Sequence, residues 1–401
     1  MMNRTQFFRS ICFFAVLMLF SFCSSAKKNV EEDWLQHAID RSEEQLLLAA
    51  EAFKDSAKNP RTYEHGVVEL VSHTDWTSGF FPGSLWYLFE LTGNEALKQA
   101  AERSTEFIEE AQYRTNTHDL GFIIHCSYGN GYRITNNEQY RKVMEQGAVS
   151  LMKRYNSRIG LIKSWDPHVG PWQFPVIIDN MLNLEFLYEV GKMTGNQTMM
   201  DAAVSHADKT LVNHFRPDNS CVHVVEYDSI TGEVLSKETH QGYNHESSWA
   251  RGQAWALYGY TMMYRLTQKQ AYLEQAERVA NFILQHPRLP EDKVPYWDFD
   301  APGIPDESRD ASAAAVIASA LVELSTFVKD KPIYFDQALI ILKNLSSEQY
   351  LAKPGKNGLF ILKHATGNWP KNSEIDTPLS YADYYYVEAL TRVVRFNRNE
   401  L

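Results

Sequence analysis

Asp179 is the acid least expected from its surroundings. It lies between Phe174-Pro175-Val176-Ile177-Ile178 and Asn180-Met181-Leu182-Asn183-Leu184, at the start of an apolar helix. A carboxyl in such a place loses water, its pKa rises, and it keeps a proton near neutral pH. That group can give a proton to a substrate and later take one from water. A structural acid there would need buried partners of its own. A second acid, Asp119, follows His118 and precedes Leu120-Gly121-Phe122. Two carboxylates on different helices, framed by tryptophan and histidine, suit the hydrolysis of sugars. Their spacing in sequence does not set their separation, so the stereochemical course stays open.

Several neighbours have plainer readings. Asp119, Asp310 and Asp383 also read as helix N-caps or first-turn acids. Trp76 and Trp255 also read as core aromatics, and Arg251 as an ion-pair partner. His206, His214 and His286 read as structural or exposed. The chain has no phosphate loop, no nucleophile elbow and no HExxH motif. It has no CxxC pair or Cys/His cluster either. Neither a metal nor an organic cofactor is expected.

The elements that must position these groups are helices. A degenerate repeat runs through the chain: Leu91-Thr92-Gly93-Asn94, Ile134-Thr135-Asn136-Asn137, Met193-Thr194-Gly195-Asn196 and Leu266-Thr267-Gln268. Each follows an apolar helical stretch and precedes an amphipathic one. The threonines advance by 43, 59 and 73 residues, too unevenly for a regular solenoid. Apolar periodicity predicts twelve helices, over 30–58, 79–92, 95–111, 120–134, 138–155, 176–192, 197–215, 250–266, 270–286, 310–329, 333–350 and 380–396. Six helical hairpins of this kind close into an all-α, (α/α)6 barrel; an open α-solenoid is the alternative. Apolar terminal helices favour closure. The helices starting near 79, 120, 176, 250, 310 and 380 are poor in charge and form the inner ring. Their N-termini then share one end, with Trp76, Asp119, Trp165, His168, Asp179, Gln241, Arg251, Trp255, Asp310 and His364 on or beside them. Helix N-termini also favour an anionic ligand.

Composition narrows the partners. Of 401 residues, 44% are hydrophobic and 22% charged, which fits a folded domain. The formal charge is −11, so a nucleic-acid partner is not expected. Residues 1–26 read as a signal peptide: Arg4 and Arg9 precede an apolar run, Ile11 to Phe22, too short to span a bilayer. Cleavage after Ala26, or acylation of Cys23 as a lipoprotein, are the two readings of its end. Either exports the chain, to a periplasm or to a lipid anchor at a bacterial membrane. Residues 27–401 then form one catalytic domain without a transmembrane helix. Only Cys126 and Cys221 remain in it, and the sequence sets neither their pairing nor the oligomeric state.

An ordered set of motifs adds to this reading. His118-Asp119-Leu120-Gly121-Phe122, the Asp179 segment, Ser248-Trp249-Ala250-Arg251-Gly252-Gln253-Ala254-Trp255, His364-Ala365-Thr366-Gly367 and Tyr381-Ala382-Asp383-Tyr384-Tyr385 occur in that order. The set resembles the unsaturated glucuronyl hydrolases of glycoside hydrolase family 88, over roughly residues 30–396. The resemblance implies hydration of the carbon 4–carbon 5 double bond in an unsaturated uronate. That sugar would sit at the non-reducing end of a lyase-generated glycosaminoglycan oligosaccharide. It implies Asp179 as the acid/base residue and Asp119 as the second essential carboxylate. Gln241, Arg251 and Trp255 match substrate-binding positions, with His223 on a less well-marked segment. Trp76 and Trp165 look like stacking residues, and His364 borders the next sugar. The unsaturated rhamnogalacturonyl hydrolases, acting on pectin fragments, share the barrel and both acidic segments and are the nearest alternative.

Overall fold

The repeat has a direct physical meaning in the computed structural model, which describes residues 33–166, 169–328 and 332–401. Each threonine closes the end of a helix. Thr92, Thr135, Thr194 and Thr267 donate their hydroxyls to the carbonyls of Leu88, Gly131, Val190 and Met263, four residues back. The next residue, Gly93, Asn136, Gly195 or Gln268, takes the left-handed conformation that stops a helix. An asparagine then caps the following helix: Asn94, Asn137 and Asn196 accept from the N–H groups of Ala96, Gln139 and Met199. Lys269 holds the cap position of the fourth joint without such a bond.

The helices run α1 (33–53), α2 (Phe80–Thr92), α3 (Glu95–Glu106), α4 (Asn130–Thr135), α5 (Glu138–Met152), α6 (Leu184–Thr194), α7 (Gln197–Asn213) and α8 (Ala250–Thr267), the first three joints linking α2 to α3, α4 to α5 and α6 to α7. The series ends with α9 (Gln270–Gln285), α10 (Ala311–Phe327), α11 (Ile333–Leu345) and α12 (Ser380–Asn397). The even-numbered helices form the inner ring. α2 packs on the segment leading into α4, that segment on α6, α6 on α8, α8 on α10, α10 on α12, and α12 back on α2. The ring is closed, an (α/α)6 barrel. One continuous hydrophobic core fills it, from Ala38 on α1 to Val393 on α12. Removing that apolar surface from water is the main stabilising term.

Two inner helices differ from the expected regular form, both beside the acids. The expected helix at 120–134 begins as a π-helix, Gly121–Gly129, before α4. The one at 176–192 begins with a strand, Pro175–Ile177, and a 3-10 turn, Ile178–Asn183, before α6. π-turns often mark functional sites, because they turn side chains off the regular helical face. Close approach explains this pair. A Cβ on Gly121 would lie 2.6 Å from Asn183 Oδ1, and that same oxygen accepts from Phe122 N at 3.0 Å. Glycine therefore lets the Asp119 segment press against the Asp179 segment.

Short strands, absent from the expected outline, decorate the active end. They are β1 (Asn59–Glu64) paired with β2 (Val67–Val71), and β3 (Tyr155–Asn156) with β4 (Leu161–Ile162). β5 (Pro175–Ile177), β6 (Val224–Tyr227) and β7 (Val234–Glu238) make a three-stranded sheet, and β8 (Ala365–Asn368) pairs with β9 (Ser373–Thr377). All pairs are antiparallel. Several expected helices end early: the first at 53, the third at Glu106, the fifth at Met152 and the eleventh at Leu345. Residues 1–26, expected to be a signal peptide, and His168 lie outside the described residues. Among those described, no helix is long and apolar enough to cross a membrane. Cys126 and Cys221 are both buried and free.

Candidate active site

Asp179 occupies the first turn after β5, and the sheet brings His223 beside it. Ile178 N donates to His223 O at 3.0 Å, which continues the β5–β6 ladder. His223 Nε2 consequently lies 3.7 Å from Asp179 Oδ2. Both side chains are buried, and neither of these two atoms has a hydrogen-bond partner. His223 Nδ1 accepts from the backbone N–H groups of His240 (3.2 Å) and Gln241 (3.4 Å). The imidazole proton must then sit on Nε2, aimed at Asp179. Burial, reinforced by His240 and Arg251, holds the His223 pKa well below its usual value, so the ring is neutral.

Burial also pushes the Asp179 pKa up to about 7. The Arg251 charge opposes this, and the Asp119 charge adds to it. Trp255, wholly buried on α8, turns its indole N–H toward the same carboxyl, and that N–H is also unpaired. Asp119 is held from its own segment. Its Oδ2 accepts from Thr117 Oγ1 at 2.7 Å, and His118 Nε2 lies 3.2 Å from its Oδ1. His118 is fully buried, which lowers its pKa against the pull of Asp119.

The Arg-Gly-Gln-Ala-Trp run divides its tasks along α8. Gln253 grips Cys221 at both backbone atoms, accepting from its N at 2.6 Å and donating to its O at 3.0 Å. That grip fixes the chain entering β6, and with it His223. Trp249 packs on His223 with ring centroids 4.4 Å apart, and the Arg251 guanidinium lies over the Trp249 ring at 4.7 Å. Arg251 is 1% exposed. It donates to Asp310 Oδ2 at 2.9 Å, to Gly367 O at 2.5 Å and to Thr366 O. Its charge reaches Asp179, but its ion pair is with Asp310.

The remaining expected residues form the walls. Gln241 donates to Gly367 O at 3.2 Å. Trp165 stands edge-on to His223 at 5.8 Å and packs with Trp172 and His240. Trp76 lies on the opposite wall, against Tyr381 at 5.0 Å and Phe122 at 5.6 Å. His364 is turned to Asp376, at 2.6 Å, and to Tyr350, rather than to the acids. Asp383 is structural: its two oxygens accept from Ile361 N and Leu362 N, both at 2.8 Å. His206 and His214 also serve backbone groups, of Ile162 and Val222.

Sequence reasoning missed four parts of this site. Trp249 and Tyr381 lay within the quoted motifs but were given no role; the Tyr381 hydroxyl is buried and unpaired. Asp310 reads in the sequence as a cap, which it is, while its pairing with Arg251 exists only in the fold. The β8–β9 hairpin carries the two carbonyls that hold Arg251, and nothing local in its sequence marks it as a strand pair. One further cluster of ligand type lies elsewhere: single atoms of His125, Glu185 and Glu189 lie within 4.8 Å of one another, toward the other end of the barrel. Arg265 already donates to Glu185 at 2.5 Å, and His125 pairs with Glu189 at 3.0 Å, so the cluster is an ion-pair network.

Paired acids at the inner-helix N-termini, walled by aromatic rings, define an (α/α)6-barrel glycoside hydrolase. The chain belongs to glycosyl hydrolase family 88, whose model matches residues 49–397. It is 51% identical over 327 residues to an unsaturated glucuronyl hydrolase of Formosa agariphila, covering 81% of this chain and 82% of that one. An unsaturated chondroitin disaccharide hydrolase of Streptococcus pneumoniae is 32% identical, over 88% of this chain and 90% of its own. A crystal structure of an unsaturated glucuronyl hydrolase specific for heparin superposes with a TM-score of 0.90 at 52% identity, covering 92% of this chain and 98% of that one. The enzyme from Bacillus sp. GL1, responsible for degradation of glycosaminoglycan, gives 0.84 at 30% identity, over 91% and 97%.

Proposed function

We propose that this chain is an unsaturated glucuronyl hydrolase acting on glycosaminoglycan fragments, with Asp179 as its acid/base. The observation that carries the site assignment is the set of three buried, unpaired polar atoms: Asp179 Oδ2, His223 Nε2 and Trp255 Nε1. Buried polar atoms are nearly always bonded, so a cluster left open awaits a polar ligand. The ring oxygen and double bond of an unsaturated uronate form a vinyl ether. Asp179, protonated near neutral pH, gives its proton to carbon 4. Positive charge then spreads over carbon 5 and the ring oxygen. Water adds at carbon 5 and returns a proton to the Asp179 carboxylate. The hemiketal so formed opens and releases the rest of the sugar, leaving the uronate as a keto acid. Asp119 raises the cost of ionising Asp179 and so keeps it protonated. The N–H groups of His223 and Trp255, with Gln241, hold the uronate, while Trp165 and Trp76 flank the sugar rings.

The identity to the heparin-specific enzyme favours heparin-type disaccharides over chondroitin-type ones. The test is loss of the ultraviolet absorbance of the conjugated uronate. Unsaturated heparin, chondroitin and rhamnogalacturonan disaccharides are offered in parallel. Loss with a glycosaminoglycan disaccharide is expected. Loss with the pectin fragment alone would move the chain to the rhamnogalacturonyl reading, and folded protein inert to all three would overturn the activity.

The basic-then-apolar pattern of residues 1–26, Arg4 and Arg9 before Ile11 to Phe22, supports export to the periplasm or to a lipid anchor. The N-terminal mass of protein from bacterial fractions decides between Lys27 and acylated Cys23 as the first residue. Uncleaved chain in the cytoplasm would overturn both.

A further inference from the structure

Asp310 joins two tasks on its two oxygens. Oδ1 caps α10, accepting from Ser312 N at 3.0 Å and Ala313 N at 3.3 Å. Oδ2 accepts from Arg251 at 2.9 Å, in a pair whose side chains are 1% and 0% exposed. The Thr366 and Gly367 carbonyls occupy other donors of the same guanidinium. The Arg251 charge acts on Asp179 and favours its ionised form, since an opposite charge draws the proton off an acid. The geometry gives that charge a direct partner in Asp310. We propose that Asp310 is a positioning residue that neutralises Arg251 and so leaves Asp179 able to hold the catalytic proton. This rests on the reading of Asp179 as the proton donor.

The groups facing each member agree with it. Asp179 meets Asp119 from the π-helix segment, His223 from β6, and Arg251 and Trp255 from α8. Only Arg251 among these is a fixed cation. Arg251 meets Tyr381 from α12, Glu374 from β9 and Asp310 from the head of α10. Glu374 is engaged by Arg61, at 2.7 Å, which leaves Asp310 as the direct partner. The hairpin carbonyls supply partial charge but no full anion.

Asp310→Ser tests the idea, because serine keeps a capping oxygen while removing the charge. Released from its partner, Arg251 acts on Asp179 as a full positive charge. The alkaline limb of the kcat/KM profile, which reports the free enzyme, should move to lower pH by about one unit. Activity above that limb then falls roughly tenfold, while the acid side is kept. Arg251→Gln removes the cation itself, and its alkaline limb should move the other way. A purely structural role for Asp310 would lower the melting temperature and leave the limb in place.

A carboxyl 13C NMR titration reads the same shift without substrate, using the resonance lost in Asp179→Asn. Downward displacement of that titration in Asp310→Ser supports the proposal even if no disaccharide is turned over. An unmoved titration and limb in folded Asp310→Ser overturn it. If that variant does not fold, Arg251→Gln decides: an alkaline limb that stays in place overturns the proposal. Wild-type protein inert to every disaccharide would instead sink the functional reading, so the two failures are distinct.

Discussion

The two ends of the barrel treat buried charge in opposite ways. Toward the C-terminal ends of the inner helices lies a cavity of about 720 Å³, lined by charged groups including Glu185, Glu323, Glu388, Arg265 and Arg392. Its charges close on one another. Arg265 bonds Glu185 and Glu323, and Arg392 pairs with Glu323 at 3.0 Å. Glu388 accepts from Tyr87, Tyr258 and Ser319. At the N-terminal ends, Asp179, His223 and Trp255 each leave a buried polar atom unmatched. Volume therefore does not mark the active end; what distinguishes it is an acid, an imidazole and an indole N–H left unmatched side by side. Leaving such a group unsatisfied costs about 1–3 kcal/mol, and a bound substrate would recover it.

Asp179 and Asp383 make the same comparison within one end. Both sit in the first turn of an inner-ring segment, and burial pushes both pKa values up to about 7. Asp383 is answered by two backbone N–H groups. Asp179 faces His223 across 3.7 Å with an oxygen free. One acid builds a loop, and the other is left open for chemistry.

The sharpest break between them is Asp179→Asn. It should lower kcat/KM on an unsaturated glycosaminoglycan disaccharide by about a thousandfold, read by the absorbance assay. Retained activity would remove Asp179 from the mechanism.

Stability should change in the opposite sense. The Asp179 carboxyl titrates near 3.8 in its ordinary state and near 7 when folded. The stability it gives the fold is present in full below pH 4 and is lost as pH rises through 7. The loss is on the order of 4 kcal/mol. Asp179→Asn escapes it, so urea denaturation should find this variant more stable than wild type at pH 8, with the gap narrowing toward pH 4. A gap independent of pH would contradict the raised titration.

Asp383→Asn shares that linkage, because its carboxyl is also pushed up to about 7, and should differ from Asp179→Asn at pH 4, where neither carboxyl is charged. It gives up one of two backbone acceptors, costs about 1–2 kcal/mol at that pH in the same denaturation experiment, and leaves kcat near wild type in folded protein. Activity lost without lost stability would make Asp383 a site residue and end the contrast.

The smallest effect belongs to the far end. Glu189→Gln removes a half-exposed charge beside His125 and should cost less than about 1 kcal/mol, with kcat/KM unaltered. A large loss of activity would show that the charged cavity takes part in function.

The helices were legible because their signals are local. The eighth was expected over 250–266 and spans Ala250–Thr267; the ninth was expected over 270–286 and spans Gln270–Gln285. A threonine, a left-handed residue and an asparagine cap mark a joint wherever they occur, whatever surrounds them. The strands were not legible, because their partners lie far along the chain. Pro175–Ile177 is too short to show a period, and its pairing with Val224–Tyr227 exists only once the barrel has closed. The same holds for the π-helix at Gly121–Gly129, whose first residues press against Asn183, 61 positions along the chain.

The site divides on the same line. Residue types, their order and the apolar setting of Asp179 belong to the sequence, because burial of a helix face follows from its periodicity. Which acid goes unanswered belongs to the tertiary structure. Asp310 receives Arg251 from another helix, Asp383 receives two N–H groups from a loop, and Asp179 keeps one oxygen open toward His223 and Trp255. Hydrogen bonds and charges act through space over a few ångströms, so only the folded chain determines which of these carboxyls is free to react.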